Sequence, residues 1–308
     1  MSQPILGQRA GFLPGKRLAL LLGCLLFSTV ASRAADLVVP DNVYFERNTE
    51  FANPDNQHLL LNLARPAKGN GPFPAVLCVH GGGFRAGNRE GHNRLCLTLA
   101  QHGFVAATVD YRLAPKYQFP AAVYDVKAAI RWLRANAGAY HIDPDRIGVT
   151  GDSAGGHLAY FLGATGGVQQ FEGDDGNPGL SSRANCVVSY YGPSDFTRSY
   201  GKSEDAHIVL PMFFGGNLEQ ARLKHIIGSP LNWVTPEAPP TLIIHGTEDK
   251  YVAYEQAIWM HDRLAACGVE VELLTLPGAG HGFKGEDAKK AEAALIAFFE
   301  KHLHPPVR

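Results

Sequence analysis

Gly151-Asp152-Ser153-Ala154-Gly155 decides how this chain folds, because of what stands on either side of it. Before it, Arg146-Ile-Gly-Val-Thr150 reads as a short buried strand. After it, the small residues from Gly156 to Thr165 open a helix. G-x-S-x-G at a strand-to-helix corner makes a turn so tight that only glycines fit beside the serine, and the serine hydroxyl is left exposed as a candidate nucleophile. The five residues alone also describe an ordinary Gly-Ser loop. The difference lies in whether the rest of the chain supplies what the serine needs.

Serine is a weak nucleophile at its own pKa and requires a base, a group that orients the base, and donors for the developing oxyanion. Upstream, the apolar run Pro74 to Val79 ends in His80-Gly81-Gly82-Gly83-Phe84. Glycines after a buried strand let backbone N–H groups approach a ligand with no side chain in the way, so Gly82, Gly83 and Ala154 are the candidate oxyanion donors. Downstream, the apolar strand Thr241 to His245 is followed by Gly246-Thr247-Glu248-Asp249, which places a carboxylate at the carboxyl end of a parallel strand. Glu248 and Asp249 both qualify. A further strand, Val271 to Leu276, ends in Pro277-Gly-Ala-Gly-His281-Gly-Phe283. Of the thirteen histidines, His281 stands out as the candidate base, flanked by glycines where it has little packing to do. His80 and His245 read as loop-bracing residues.

Taken together, His80 to Phe84, Asp110-Tyr-Arg-Leu-Ala-Pro115, Gly151 to Gly156, His245 to Asp249 and Gly280 to Phe283 resemble the motifs of the α/β-hydrolase carboxylesterases. The likeness is to the branch related to hormone-sensitive lipase and to bacterial feruloyl- and acetylxylan-esterase-like proteins, and it spans about residues 40 to 300. It implies an α/β-hydrolase fold and ester hydrolysis through an acyl-enzyme, with neither metal nor organic cofactor. It also implies the chain order nucleophile Ser153, acid Asp249, base His281. The expected substrate is a small-molecule or polysaccharide ester carrying a short acyl group such as acetyl, or an aryl group such as feruloyl. Hormone-sensitive-lipase-like members carry a helical cap built partly from an N-terminal extension. The short stretch before Pro74 reads here as strands, so a small insert rather than a full cap is expected. Two rivals are a prolyl-oligopeptidase-like peptidase and a hydrolase-fold binding protein without catalysis. The first usually adds a propeller for which this chain has no room; the second typically lacks a triad member.

Composition agrees with one α/β domain over residues 35–308: 45% of the 308 residues are apolar, enough for one large core. The formal charge of −1, with no basic patch, speaks against a nucleic-acid partner. Lys16-Arg17, the apolar run Leu18 to Val30 and the small residues of Ser32-Arg33-Ala34 read as a signal peptide over residues 1–34. The run is too short to span a bilayer comfortably, so a secreted or periplasmic protein with no membrane anchor after cleavage is expected, and lipidation at Cys24 is disfavoured. Cleavage removes Arg9, Lys16, Arg17 and Arg33 with no acid, which takes the net charge to −5. Cys78, Cys96, Cys186 and Cys267 remain, without metal-ligand spacing.

Along the chain, residues 41–64 carry two strands split by Asn53-Pro-Asp-Asn56, and Phe104 to Val109 is a buried strand. Pro120 opens a helix through Ala137, with Val123, Val126, Ile130 and Leu133 on one face. Asp143-Pro144-Asp145 then turns into the strand before Gly151, and Cys186 to Tyr190 is the next strand. The alternation predicts a mainly parallel sheet covered by helices on both faces, with an antiparallel N-terminal edge. Two stretches interrupt it. Residues 169–179 form an acidic, glycine-rich loop in which Asp174 and Asp175 fail the EF-hand pattern. Residues 193–230 form an irregular, lid-like insert. Its Phe196, Tyr200, Met212, Phe213 and Phe214 either line an acyl or aryl pocket or pack the insert onto the core. Phe84, Asp152 and Tyr191 are further candidate substrate-binding residues.

Overall fold

The computed structural model describes residues 37–303; the expected leader at residues 1–34 lies outside them. Strand β1 (Val43–Ala52) pairs antiparallel with β2 (Leu59–Pro66), and the Asn53-Pro-Asp-Asn56 stretch forms the turn between them. Then follow β3 (Phe73–Val79), α1 (Asn93–Gln101), β4 (Val105–Val109), α2 (Ala121–Ala135), the single turn α3 (Ala137–Tyr140), β5 (Ile142–Asp152) and α4 (Ala154–Ala164). The chain continues through β6 (Cys186–Tyr190), α5 (Ala206–Phe214), α6 (Arg222–Ile227), β7 (Thr241–Gly246), α7 (Glu255–Ala266), β8 (Val271–Leu276) and α8 (Gly285–Leu303). One eight-stranded sheet has the order β1-β2-β4-β3-β5-β6-β7-β8. It is parallel from β4 to β8 and antiparallel only where β2 meets β1 and β4. This is the predicted α/β-hydrolase arrangement, antiparallel edge included.

The central strands are apolar without alternation because both of their faces are covered. Leu77, Val149 and Ile243 join a core with Val126 and Ile130 of α2 and Leu158 and Phe161 of α4. On the other face, α8 presses so close to β5 that a Cβ at Gly148 would lie 2.8 Å from the Phe299 ring and 3.0 Å from Leu303. The edges are charged, which discourages pairing with another sheet. At the far edge, Lys301 of α8 reaches Glu270 and Glu272 at 2.7 and 2.9 Å.

Two local expectations are revised and a third is met. Helix α2 ends at Ala135, because the Asn136 side chain donates to the Trp132 carbonyl at 2.9 Å and closes the last turn. Residues 143–145 lie within β5 but turn as expected: the Asp145 N–H donates to Asp143 Oδ1 at 3.0 Å, and the pairing jumps from Ile142 opposite Phe73 to Ile147 opposite Ala75. The 193–230 insert is not wholly irregular, since α5 and α6 lie within it. The acidic loop is held by buried cations of α2. Lys127 Nζ donates to the Thr165 carbonyl at 2.6 Å and to Glu172 at 2.8 Å, and Arg131 donates to the Glu172 and Gly176 carbonyls at 2.8 Å each.

Asp110-Tyr-Arg-Leu-Ala-Pro115 follows β4 and carries a buried ion pair. Arg112 lies 2.8 Å from Asp125 of α2, with side-chain exposures of 8% and 1%. The Arg112 backbone N–H donates to the same carboxylate at 2.7 Å. Replacing Arg112 by alanine strands a carboxylate in the core, so Arg112→Ala should cost about 3–5 kcal/mol of unfolding free energy by urea titration. A loss near that of an exposed arginine would show that the pair is not load-sharing in the core.

Candidate active site

Ser153 sits where β5 turns into α4, with φ 53° and ψ −117°, a conformation that a non-glycine residue adopts only under constraint. The constraint comes from its two glycine neighbours. A Cβ at Gly151 would lie 2.4 Å from the Gly155 carbonyl oxygen, and one at Gly155 would lie 2.0 Å from the Val79 carbonyl oxygen. Only glycine permits β3, β5 and α4 to converge this closely. The Ser153 N–H donates to the Tyr190 carbonyl at 2.9 Å, which ties the corner to β6.

The loops after β7 and β8 bring the other two groups to this corner. His281 Nε2 lies 2.9 Å from Ser153 Oγ, and His281 Nδ1 lies 2.7 Å from Asp249 Oδ2. The second Asp249 oxygen accepts from the Tyr251 and Val252 N–H groups, both at 2.9 Å. Burial pushes the Asp249 carboxyl up, but hydrogen bonds from His245, His281 and the Val252 amide outweigh it and hold the group well below the ordinary carboxylate range. Asp249 therefore stays ionised wherever an imidazole titrates. Asp249, the acid that the resemblance implies, is buried against His281, and its competitor Glu248 is exposed. Buried His245 braces the loop through the Val252 carbonyl, 2.8 Å from its Nε2.

The glycine loop after β3 forms the opposite wall. Gly82 and Gly83 have φ of 106° and 59°, and a Cβ at Gly82 would lie 2.2 Å from the Ala86 carbonyl oxygen. Among the described residues, no hydrogen bond uses the N–H of Gly82 or Gly83. The loop is anchored from below. Tyr111 stacks on His80 with ring centroids 4.2 Å apart, and its hydroxyl donates to the His80 carbonyl at 3.0 Å. Asp152 Oδ1 accepts from the Gly81 N–H and from His92 Nε2, each at 2.9 Å, so the residue before Ser153 is bonded to the loop across from it. Burial opposes charge on both partners. Their mutual hydrogen bond prevails, lowering the Asp152 pKa and raising that of His92.

Ser153, His281, Gly82, Gly83 and Ala154 all border a cavity of about 590 Å³. Phe84, Asp152 and Tyr191 border it as well, as does Phe196. Met212, Phe213 and Phe214 do not. Helical spacing places Ala206, Val209 and Leu210 of α5 over the cavity, whereas Phe213 and Phe214 come one turn later and enter the core. Phe213 stacks on Phe84 with centroids 3.8 Å apart, so these rings pack the insert onto the body, and Tyr200 pairs with His225 at 3.0 Å. Sequence reading missed Val209, Leu210, Tyr251 and Gln256 as lining residues. The apolar spacing of 206, 209 and 210 was the available signal. Among the described residues, no group of three or more His, Cys, Asp or Glu is arranged to hold a metal.

Comparison with known proteins places this geometry among relatives. The BD-FAE family model matches residues 61–264. Esterase LipC of Mycobacterium tuberculosis is 34% identical over 274 residues, which cover 85% of this chain and 66% of LipC. A solved structure described as a truncated form of carbohydrate esterase from gut microbiota superposes with a TM-score of 0.74 at 27% identity, over 84% of this chain and 96% of that one. The acetyl ester-xyloside bifunctional hydrolase from Caldicellulosiruptor lactoaceticus does so with a TM-score of 0.71 at 26% identity, over 83% and 97%. The chain spans between half and two thirds of the length of the first curated relatives it matches.

The His92–Asp152 pair yields a pH signature. A histidine whose pKa is raised on folding contributes stability in full below its unfolded value, and that contribution is lost as pH rises through the folded value. His92→Gln removes the charge while keeping a donor. Its stability deficit against the parent protein should be widest below about pH 6.5 and should narrow as pH climbs through the raised value. Urea titrations across that range measure the gap; a constant deficit would mean that His92 is neutral throughout.

Proposed function

The chain belongs to the BD-FAE family, and on that premise we propose that it is an exported serine ester hydrolase acting on short-chain acyl esters, acetyl esters of polysaccharides foremost. The observation that carries the reading is the hydrogen-bonded chain from Ser153 through His281 to buried Asp249, with links of 2.9 and 2.7 Å, on the wall of a 590 Å³ cavity. Ser153 attacks the ester carbonyl as His281 takes its proton. Asp249 holds the imidazole with Nε2 toward the serine and stabilises the imidazolium that forms. The amides of Gly82, Gly83 and Ala154 receive the tetrahedral oxyanion, whose charge develops where no ground-state acceptor competes for them. The leaving alcohol takes its proton from His281, and water activated by the same imidazole releases the acyl group.

The cavity supports a short acyl group. Phe84, Phe196, Ala206, Val209 and Leu210 supply apolar walls, and the buried Phe213 ring behind Phe84 closes the space beyond it. A feruloyl ester is the aryl alternative within the same reading. The names of two neighbours, a carbohydrate esterase and an acetyl ester-xyloside hydrolase, support a sugar ester as substrate. Export rests on the leader-like residues 1–34. Among the described residues, no helix is long and apolar enough to cross a membrane.

The test compares the protein and its Ser153→Ala variant on p-nitrophenyl esters from acetate to decanoate, methyl ferulate, acetylated xylan and an aminoacyl anilide. Serine-dependent rates should peak at short esters and include acetylated xylan. Loss of Ser153 should lower them by roughly 10⁶-fold. Turnover of the anilide alone would make the protein a peptidase, and no serine-dependent turnover would leave a binding protein. Export has its own readout. Protein recovered from the periplasm or medium of a bacterial host should begin at Ala35, and an intact N-terminus confined to the cytoplasm would refute the leader.

A further inference from the structure

A second cavity of about 520 Å³ opens beside the first, on the other side of a ridge formed by Gly82, Asp152 and Tyr191, which border both. Its other walls come from residues 87–95 around the start of α1, from Tyr190 and Phe283, and from Ala288 and Glu292 of α8. The first cavity combines an apolar wall from α5 with a polar rim that includes Arg85, Ser199, Lys202 and Asp205. The second presents the Glu292 carboxylate, the Asn88 amide and Asp152 Oδ2, and among the described residues no hydrogen bond engages the Glu292 carboxylate, Asn88 Nδ2 or Asp152 Oδ2. Beside them stand the aromatic carbons of Tyr190 and Phe283, and His80 Nε2, buried without a partner.

An ester has two arms that diverge from one carbonyl carbon, and the ridge between the cavities runs beside the serine that attacks it. Tyr191 on the ridge has its ring centroid 4.5 Å from that of His281, the group that protonates the leaving oxygen. We infer that the second cavity is the subsite for the alcohol arm and that its ligand is a glycosyl group, whose hydroxyls meet Asn88, Asp152 and Glu292 while its C–H face lies on aromatic carbon. The inference rests on the ester-hydrolase reading and deepens it: the acyl group is selected on the α5 side, the alcohol on the α1 and α8 side. Carboxylate and amide groups paired with aromatic surface suit a pyranose better than an alkyl alcohol, which would leave those polar groups without partners.

Two positions allow the cavity to be filled without touching the reacting groups. A Cβ at Gly91 meets nothing nearer than the His80 Cβ at 3.9 Å, and Ala288 is half-buried on the facing wall. Gly91→Leu and Ala288→Trp therefore intrude from opposite sides. The substrates are ethyl acetate and an acetylated methyl xyloside, which share the acyl group and differ only in the alcohol. Each variant should keep the parent kcat/KM for ethyl acetate, which also reports that it is folded. Each should lose at least about tenfold on the xyloside, the worth of one hydrogen bond to a charged group. Unchanged xyloside hydrolysis in both variants, or an equal fall on both esters, would overturn the subsite while leaving the ester-hydrolase reading in place. A parent protein that hydrolysed neither ester would overturn both.

Discussion

The geometry depends on how near the first turn of α4 comes to the end of β3. A Cβ on Gly155 would lie 2.0 Å from one backbone oxygen there and 2.7 Å from the next, so the approach exists only because Gly155 is bare. That contact sets the spacing between the serine and the glycine loop, since the loop begins at the residues whose carbonyls it touches. Strain at Ser153, of order 1–3 kcal/mol, is maintained by these packed backbones. Under the proposed function, a pre-set corner of this kind needs no rearrangement when charge develops on a substrate oxygen.

Around the corner, polar groups hold the loops that would otherwise wander. Asp152 joins the elbow to the glycine loop, Asp249 joins the loops after β7 and β8, and Arg112 fixes the segment whose Tyr111 supports His80. In each case a carboxylate, buried at Asp125 and Asp249 and half-buried at Asp152, accepts from backbone N–H as well as from a side chain. That is how the interior tolerates the charge. The acidic loop at residues 169–179 follows the reverse logic, with buried Arg131 of α2 donating to its Glu172 and Gly176 carbonyls and buried Lys127 to its Glu172 carboxylate.

What could be read from sequence follows from how local the cause is. The corner at Ser153 and the glycine loop are legible because their backbones exclude side chains, and exclusion writes glycine at fixed spacing. The sheet is legible because strands covered on both faces are apolar throughout. His92 was not legible: its meaning comes from Asp152, 60 positions away, and a histidine at the start of a helix carries no mark of that partner. The choice between Glu248 and Asp249 turns on which one the loop buries, a fact of folding rather than of composition. Phe213 and Phe214 show the same limit. A helical period tells which residues share a face, but not where along the helix the cavity stops and the core begins.

The closure of β5 by α8 bears on how the molecule assembles. The Arg146 guanidinium donates to the Leu303 carbonyl at 2.9 Å across a separation of 157 residues, and Phe299 fills the space left by Gly148. The strand that leads into Ser153 therefore has one face dry only after a helix from far downstream has docked. Contacts of such long range must repay loop-closure entropy before they stabilise anything, which makes them late events. Any chain that lacks α8 therefore leaves this apolar face of β5 in water.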